Sequence, residues 1–316
     1  MAKSFASTGD MAEKEITFAE IGPGLYAFTA EGDPNSGVIV GDDSVMVVDA
    51  QATPAMAQKV IDKVREVTDK PIKYVTLTHY HAVRVLGASA YAASEVITSD
   101  KARAMIAERG QEDWESEYGR FPRLFQGADG IPGLTWPTLT FKNRLTLYLG
   151  RRRVDLWHLG RAHTAGDVVV HVPDAGVMFS GDIVEYRSAC YCGDGHFNDW
   201  PVTLDRIAHF NPRALVPGRG DALIGPDKVQ EAIRLTRDFL VSTYKPVAEV
   251  AHRGGSLKEA MQACRAACDE KFKDFAIYEH CLPFNVARAY DEALEIDTPR
   301  IWTAERDREM WAQLMG

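Results

Sequence analysis

The stretch THYHAVRVLGA, residues 78–88, decides how this sequence is interpreted, because it sets two histidines one residue apart directly after an apolar run. That run, KYVTLT at residues 73–78, has the composition of a buried strand. Alternate side chains at a strand end project to one side of the sheet edge, which lets His79 and His81 share one metal ion. Two histidines alone are a weak signal, and Arg84 stands where a third ligand would be sought.

Polar residues also follow three later predicted strands. They are His163 in LGRAHTAGD (residues 159–167), Asp182 in MFSGDIV (residues 178–184) and Arg219 in LVPGRGD (residues 215–221). Thr164 and Asp167 are expected to cap the turn around His163 and to fix its ring. Because each of these residues ends a strand, we expect them to form one site at one edge of a sheet sandwich.

The chain has two kinds of pattern. From Ile16 to about Val216, short β-rich runs bounded by Gly, Asp, Asn and Pro alternate with amphipathic helical stretches, which predicts a layered α/β fold. After Asp227 the pattern is helical. We therefore expect an α/β domain over residues 1–225 and a helical C-terminal extension over residues 226–316 that packs on it.

Composition and charge exclude several classes of protein. The 316 residues are 46% hydrophobic, and the net charge of -9 leaves no overall basic field, so a nucleic-acid partner is not expected. No run of about 18 apolar residues occurs, and the first residues, MAKSFASTGDMAEKEITF, lack an apolar leader segment, so no membrane partner is expected. Five scattered cysteines indicate a reducing compartment rather than a disulfide framework. Together these features predict a cytoplasmic protein.

The joint order of five motifs resembles the metallo-β-lactamase superfamily. The motifs are SGVIVGDDSVMVVDA, THYHAVRVLGA, HLGRAHTAGD, MFSGD and VPGRGD, and the resemblance covers roughly residues 20–225. It implies an αββα sandwich of two mixed sheets flanked by helices. It also implies that a first metal site maps onto His79, His81 and His163, all of which are present. The helical remainder is similar only in general character to C-terminal extensions found in branches of that family.

The second metal site implied by the resemblance is incomplete. It maps onto Val83, Arg84, Asp182 and Arg219, and only Asp182 matches the family pattern. Two guanidinium groups, which are effectively always protonated, would restore about the two positive charges that leave with a divalent ion. We interpret this as a redesigned site. Asp182 is then expected either to be a fourth ligand or to orient a water molecule.

The two arginines have alternative roles. They are expected to clamp an anionic substrate group or to stabilise the oxyanion formed during attack, since bidentate charged donors suit both tasks. In the remaining alternative, Arg84 and Arg219 only pair with Asp182 as structural ions.

These residues predict a mononuclear zinc-dependent hydrolase with one Zn2+ per chain. Three neutral imidazoles leave an open position on zinc, which lowers the pKa of its bound water to about 7 and so provides metal-bound hydroxide. The expected substrate is a small ester, lactone, thioester or activated aromatic molecule. The alternatives are a metal-poor binding or regulatory protein, and a non-hydrolytic enzyme with iron in place of zinc. The oligomeric state stays open, with a homodimer as one alternative.

Weaker candidates lie outside these motifs. The stretch SACYCGDGHFNDWP, residues 188–201, holds Cys190, Cys192, Asp194 and His196 and is expected to line the pocket and bring polar groups to it. The spacing of its Cys and His residues is not a common zinc pattern, so a pocket wall or dimer contact is favoured over a metal role. His280, in the helical region, is expected to be structural. Tyr80 is expected to point away from the two flanking histidines into packing.

Overall fold

The computed structural model describes residues 6–315 and contains two mixed β-sheets. The first sheet has seven strands in chain order: β1 (Ile16–Gly22), β2 (Leu25–Ala30), β3 (Ser36–Val40), β4 (Val45–Val48), β5 (Ile72–Thr76), β6 (Glu95–Ser99) and β7 (Leu139–Phe141). Strands β1 to β4 pair antiparallel, whereas β4 to β7 pair parallel. The parallel half brings the carboxyl ends of β4 and β5 to the same sheet edge.

The second sheet has six strands. The described residues also form eight α-helices, which flank the two sheets. Its strands, in chain order, are β8 (Arg144–Leu149), β9 (Arg152–Trp157), β10 (Val169–Val172), β11 (Val177–Gly181), β12 (Ala214–Pro217) and β13 (Leu223–Ile224). Only β11 and β12 pair parallel. The helices are α1 (Pro54–Val67), α2 (Ala82–Val85), α3 (Asp100–Arg120), α4 (Trp200–His209), α5 (Pro226–His252), α6 (Leu257–Phe272), α7 (Tyr278–Ala293) and α8 (Ala304–Met315).

Alternation along the strands explains how the layers stack. In β4, Met46 and Val48 belong to the apolar cluster between the two sheets, while Val45 and Val47 belong to the cluster under α1. Successive strand residues face opposite sides, so this all-apolar strand is buried on both. At Gly37 a Cβ atom would lie 2.3 Å from the Phe179 ring of the other sheet, so only glycine allows the sheets this close. The predicted αββα sandwich is confirmed.

The C-terminal helices complete the outer layer over the second sheet. One apolar cluster contains Met178 and Leu215 from the sheet together with Phe239, Leu282 and Leu314 from α5, α7 and α8. Helix α5 begins at Pro226, next to the predicted boundary, and the division into two domains stays a prediction. None of the described helices is both long and apolar enough to cross a bilayer. The expectation about the chain's first residues falls partly on residues 1–5, which lie outside the described range.

Candidate metal centre

The loop that carries His79 and His81 begins where β5 ends, and Asp49 fixes its first residue. Both the amide and the hydroxyl group of Thr78 donate to the Asp49 carboxylate, at 2.8 Å each. Burial of Asp49 raises its pKa to about 6, although Arg84 opposes the shift. Asp49 follows β4, so two neighbouring parallel strands define the start of the loop.

Helix α3 holds the other end of this loop. The amide of Ala82 donates to Asp113 at 2.7 Å, and the amide of Val83 donates to Glu117 at 3.2 Å. These two carboxylates therefore satisfy free N–H groups at the start of the four-residue helix α2. No sequence motif pointed to this capping role of Asp113 and Glu117.

Three imidazoles meet at this edge of the sandwich. His79, His81 and His163 are each 2% exposed or less, and their ligand nitrogens lie within 4.8 Å of one another. Their ring centroids are 4.6 to 4.9 Å apart. The structure thus brings together the three histidines that the sequence predicted.

In each ring one nitrogen is held by a partner outside the cluster. His79 Nδ1 lies 3.0 Å from the Thr78 hydroxyl, His81 Nε2 lies 3.3 Å from Asp194, and His163 Nδ1 lies 2.8 Å from the Tyr191 carbonyl. Such partners set which nitrogen carries the proton and so leave the other free to bind a metal.

The remaining nitrogens face one another. His163 Nε2 lies 2.9 Å from His81 Nδ1, and His79 Nε2 is buried with no hydrogen-bond partner among residues 6–315. An unpartnered buried nitrogen beside two others is costly unless something binds it. The donor set therefore fits a metal ion that accepts three imidazole ligands, such as zinc.

The predicted support of His163 needs a correction. Thr164 does cap the turn, because its amide and hydroxyl groups donate to Asp167 at 2.9 and 2.7 Å. The His163 ring, however, is held by the Tyr191 carbonyl rather than by either residue. Every residue has a backbone carbonyl, so this contact could not be predicted from the residue types.

Asp182 lies between the imidazoles and two guanidinium groups. Its Oδ1 accepts from Arg84 Nη2, and its Oδ2 accepts from Arg219 Nη1 at 2.8 Å. Oδ2 is also 3.9 Å from His79 Nε2 and 3.7 Å from His163 Nε2. Burial opposes ionisation, but the two arginines hold the pKa of Asp182 well below its usual range. Service of Asp182 as a fourth ligand stays a prediction.

The two arginines occupy different environments. Arg84 is fully enclosed, donates to the carbonyls of Asn35 and Gly218 at 2.8 and 2.7 Å, and has no surface on the cavity beside the histidines. Arg219 lines that cavity. The geometry favours the structural alternative for Arg84, whereas Arg219 remains a candidate for contact with a substrate.

Glu185 is a third acidic group in this cluster, and no motif pointed to it. It accepts from the backbone amide of Arg219 and lies 3.5 Å from its Nη1. Burial and the neighbouring Asp182 raise the pKa of Glu185 well above its usual range. Because this shift disfavours the charged form of Glu185, and because Asp182 is closer to Nη1, Asp182 is the main acceptor for the charge of Arg219.

A small enclosed cavity adjoins the histidines. Its volume is about 10 Å³, which is room for about one water molecule. Apolar side chains that line it include Phe121, directly after α3, and Ile277, directly before α7. The lining includes His81, His163, Asp182, Arg219, Phe121, Ile277, His280 and Cys281. His280, which the sequence favoured as a structural residue, therefore reaches the candidate site.

The other candidates lie outside the metal-binding group. Cys190 and Cys192 are buried free thiols whose pKa values are raised by burial, so both are protonated. His196 is buried and does not belong to the three-histidine group. The same loop instead supplies Asp194, which holds His81 and pairs with Arg109 at 3.1 Å. Tyr80 packs in the apolar cluster under the first sheet, as predicted.

Metal binding should displace a proton from His81. Burial lowers the pKa of His81, but the carboxylates of Asp113 and Asp194 outweigh burial and raise the pKa to about 9. Burial lowers the pKa of His163 to about 3 and that of His79 well below its usual range, so those rings are already neutral. Because only a neutral imidazole binds metal, zinc added to metal-free protein at about pH 7 should release about one imidazole proton.

Calorimetry in buffers of different ionisation enthalpy measures this release. Zinc affinity should rise between pH 7 and about 9, where the His81 proton is lost. An Asp194→Asn variant retains a polar side chain beside His81 Nε2 but removes the charge of an ionised carboxylate, so it should release fewer protons. Equal release from both proteins would contradict the assigned role of Asp194.

Comparisons with known proteins agree with this geometry. A family model described as the metallo-beta-lactamase superfamily matches residues 29–219. The chain is 21% identical over 252 residues to a linear primary-alkylsulfatase of Pseudomonas sp.. The aligned region covers 69% of this chain and 47% of that protein. It is 29% identical over 119 residues to a metallo-beta-lactamase type 2 of Bacteroides fragilis, which covers 36% and 47% respectively. The chain thus spans about half the length of these two curated relatives.

Solved structures show the same fold at low identity. A metallo-beta-lactamase from Pontibacter korlensis superposes with a TM-score of 0.58 and 17% identity, covering 72% of this chain and 99% of that one. The DIM-1 metallo-beta-lactamase gives a TM-score of 0.54 at 16% identity, covering 72% and 98%. The part of the sandwich that holds the three histidines is included in the family match.

Proposed function

The chain belongs to the metallo-beta-lactamase superfamily, and from this premise we propose that it is a hydrolase that uses one zinc ion held by His79, His81 and His163. The observation that carries the proposal is the orientation of the three rings. Each has one nitrogen held by an outside partner and its other nitrogen turned toward the same small volume. In a binding protein without metal, three buried imidazoles arranged in this way would leave polar nitrogens unpaired, which is costly.

The proposal of a single ion rests on the contacts of Asp182. Family resemblance assigns this aspartate to both metal ions, yet here each carboxylate oxygen accepts from a different guanidinium, Arg84 or Arg219. A second cation close to Asp182 would be repelled by both arginines. We propose that the arginines supply the charge that a second ion supplies elsewhere in the superfamily.

The residues of this chain have distinct tasks in the proposed reaction. His79, His81 and His163 would hold the zinc ion, which would supply a water molecule activated as a nucleophile near neutral pH. Arg219 can stabilise negative charge that develops on the attacked group, because it lines the cavity and is always protonated. Phe121 and Ile277 exclude bulk water, which strengthens these interactions.

The proposed substrate is a small ester, lactone, thioester or activated aromatic molecule. The small volume of the cavity supports a small substrate, which enters only if the wall moves. Since one relative is an alkylsulfatase, alkyl sulfate esters belong in the same substrate panel.

Metal analysis and a substrate panel test this function. Purified protein should contain close to one zinc per chain, and hydrolysis should be lost with a chelator and restored by zinc. A protein without metal and without hydrolytic activity would be a binding or regulatory relative. Iron accompanied by a visible absorption band would indicate the non-hydrolytic alternative, and two zinc ions per chain would refute the charge replacement.

Ile277 should control the size of the substrate. It lines the cavity at the start of α7 with a φ of 55°, a left-handed conformation that β-branched residues rarely adopt. Ile277→Gly should widen the cavity and raise kcat/KM for a bulkier ester by about tenfold relative to a small one. Relief of about 1 kcal/mol of backbone strain should offset part of the lost packing energy.

The matched control is Ile277→Val, which retains the branched side chain and most of its volume. This variant should leave the size preference almost unchanged. If both variants gave the same preference as the unmodified protein, Ile277 would not limit the site. Kinetics with a graded series of acyl esters, together with Tm, measure both effects.

A further inference from the structure

A second wall of the cavity carries polar side chains that are not part of the three-histidine group. Arg219 and His280 lie on this wall, and each is less than one-tenth exposed. Arg219 comes from the turn after β12, while His280 comes from the first turn of α7 in the C-terminal helices. The wall therefore exists only because the helical region packs on the sandwich.

Both side chains have buried polar atoms without a partner. Arg219 uses Nη1 for Asp182 and Glu185, but its Nε has no acceptor among the described residues. His280 Nδ1 likewise has no partner in residues 6–315, and its ring lies against Phe121 at a centroid distance of 5.2 Å. Most buried polar groups in proteins are hydrogen-bonded, so this pair requires a ligand or a solvent molecule.

The chemistry of these atoms selects a negatively charged ligand. Arg219 Nε can only donate, so no metal ion can satisfy it. Burial and the cationic neighbours Arg120 and Arg219 hold the pKa of His280 well below its usual range. A neutral imidazole that lines the same small cavity as a guanidinium can donate one hydrogen bond to an anion that the guanidinium also binds.

The two carboxylates on the cavity wall are not this acceptor. Asp182 accepts from Nη1 of Arg219 and not from its Nε. Glu117 also lines the cavity, but it accepts from the amide of Val83 on α2, at 3.2 Å. Arg219 Nε and His280 Nδ1 stay unpartnered with Glu117 in place. The acceptor for these donors must therefore enter the cavity from outside the described chain.

We propose that Arg219 and His280 together bind an anionic oxygen group of the substrate, a carboxylate or a sulfate. The inference rests on the proposed function, since it gives that hydrolase a preference for substrates with a negative charge near the bond that is cleaved. The three imidazoles and this pair then bind opposite charges on two sides of one cavity. A bound anion widens the cavity, whose present volume of about 10 Å³ holds only a water molecule.

Anion binding to metal-free protein tests the proposal separately from catalysis. Sodium sulfate and sodium acetate are titrated at constant ionic strength, and binding is followed by calorimetry and by the rise in Tm. Saturable binding is expected for at least one anion, and the comparison of the two shows which group the pair prefers. His280→Ala should weaken that binding by about tenfold or more, as expected when a hydrogen bond to a charged group is lost.

Two further variants make the result interpretable. His280→Asn places an amide nitrogen near the former Nδ1 and should retain most of the affinity. His171→Ala removes a half-buried histidine of β10 that packs on Phe210 and should change nothing. If His280→Ala does not fold, the asparagine variant and a substrate pair, one ester with a carboxylate and its neutral methyl analogue, provide the test through the ratio of their KM values.

The outcomes separate this proposal from the proposed function. Absence of saturable anion binding, or binding that His280→Ala leaves unchanged, would overturn the anion pair even if the protein bound zinc and hydrolysed neutral esters. Saturable binding that is weakened by His280→Ala and retained by His171→Ala would support the pair even if the protein bound no zinc. A KM ratio near one for the two esters would also count against the pair.

Discussion

Replacement of His163 by alanine is expected to abolish stoichiometric metal binding and to lower hydrolytic activity by about a thousandfold or more, since a catalytic metal supplies several kcal/mol of transition-state stabilisation. The ring is buried, and its Nε2 lies 2.9 Å from His81 Nδ1, so its loss removes one of only three imidazole ligands. Two ligands do not hold zinc in the way that three or four do. Metal content per chain and kcat/KM for the best substrate measure the effect.

The control for this variant is His209→Ala. His209 is exposed at the end of α4 and has no part in the three-histidine group, so metal content and activity should be unchanged. Circular dichroism should show that both variants fold. A folded His163→Ala protein that retained one metal ion per chain and full activity would remove the assignment of the site.

Replacement of Arg84 by alanine should have the largest effect on stability. The guanidinium is fully enclosed, bonds to Asp182 and lies 3.5 Å from Asp49, so its loss leaves two buried carboxylates without this partner. Removing one member of a buried ion pair costs about 3 to 5 kcal/mol in free energy of unfolding. For a chain of this length we expect Tm to fall by roughly 5 to 10 °C.

The loss should depend on pH in a defined direction. Because Arg84 and Arg219 hold the pKa of Asp182 well below 3.8, ionised Asp182 stabilises the native protein above that pH and loses its contribution as the pH falls through its folded-state pKa. In the Arg84→Ala variant, ionised Asp182 contributes less to the free energy of unfolding, because one of its two guanidinium partners is gone. The difference in unfolding free energy between the two proteins should therefore be greatest near neutral pH and should narrow only as the pH falls below 3.8 toward the folded-state pKa of Asp182.

A surface arginine provides the matched control. The Arg151 side chain is 93% exposed and pairs with Asp42 at 2.9 Å. Because solvent screens exposed ion pairs and they contribute little to stability, Arg151→Ala should be almost neutral. Denaturant unfolding at two pH values compares the variants. Equal stability of Arg84→Ala and Arg151→Ala would show that Arg84 does not balance the buried carboxylates.

Much of the sandwich and the three metal-binding histidines could be predicted from sequence. Strand ends have strong local signals, and side chains that follow parallel strands gather at one edge. His79 and His81 were identified from the end of β5, and His163 from a turn after a later strand that the family resemblance joined to them; the structure brings the three together. Periodicity also placed the change from mixed to helical structure near Pro226.

The groups that hold the histidines could not be predicted in the same way. Asp194 lies 113 residues from His81 in the chain, and the contact depends on how a loop without regular structure packs. Asp113 and Glu117 bond to backbone amides, which any residue provides. The different environments of Arg84 and Arg219 follow from the carbonyls that surround Arg84, and sequence patterns do not show such enclosure.

The apolar cluster beneath the C-terminal helices makes those helices inseparable from the sandwich. Met178 and Leu215 on the outer face of the second sheet are covered by Phe239 and Leu282. Truncation of the chain before α5 would therefore expose a broad apolar surface to water. A truncated fragment would be prone to aggregation rather than a minimal enzyme. Exchange of the helical region between relatives would require matched interior surfaces on both sides of the cut.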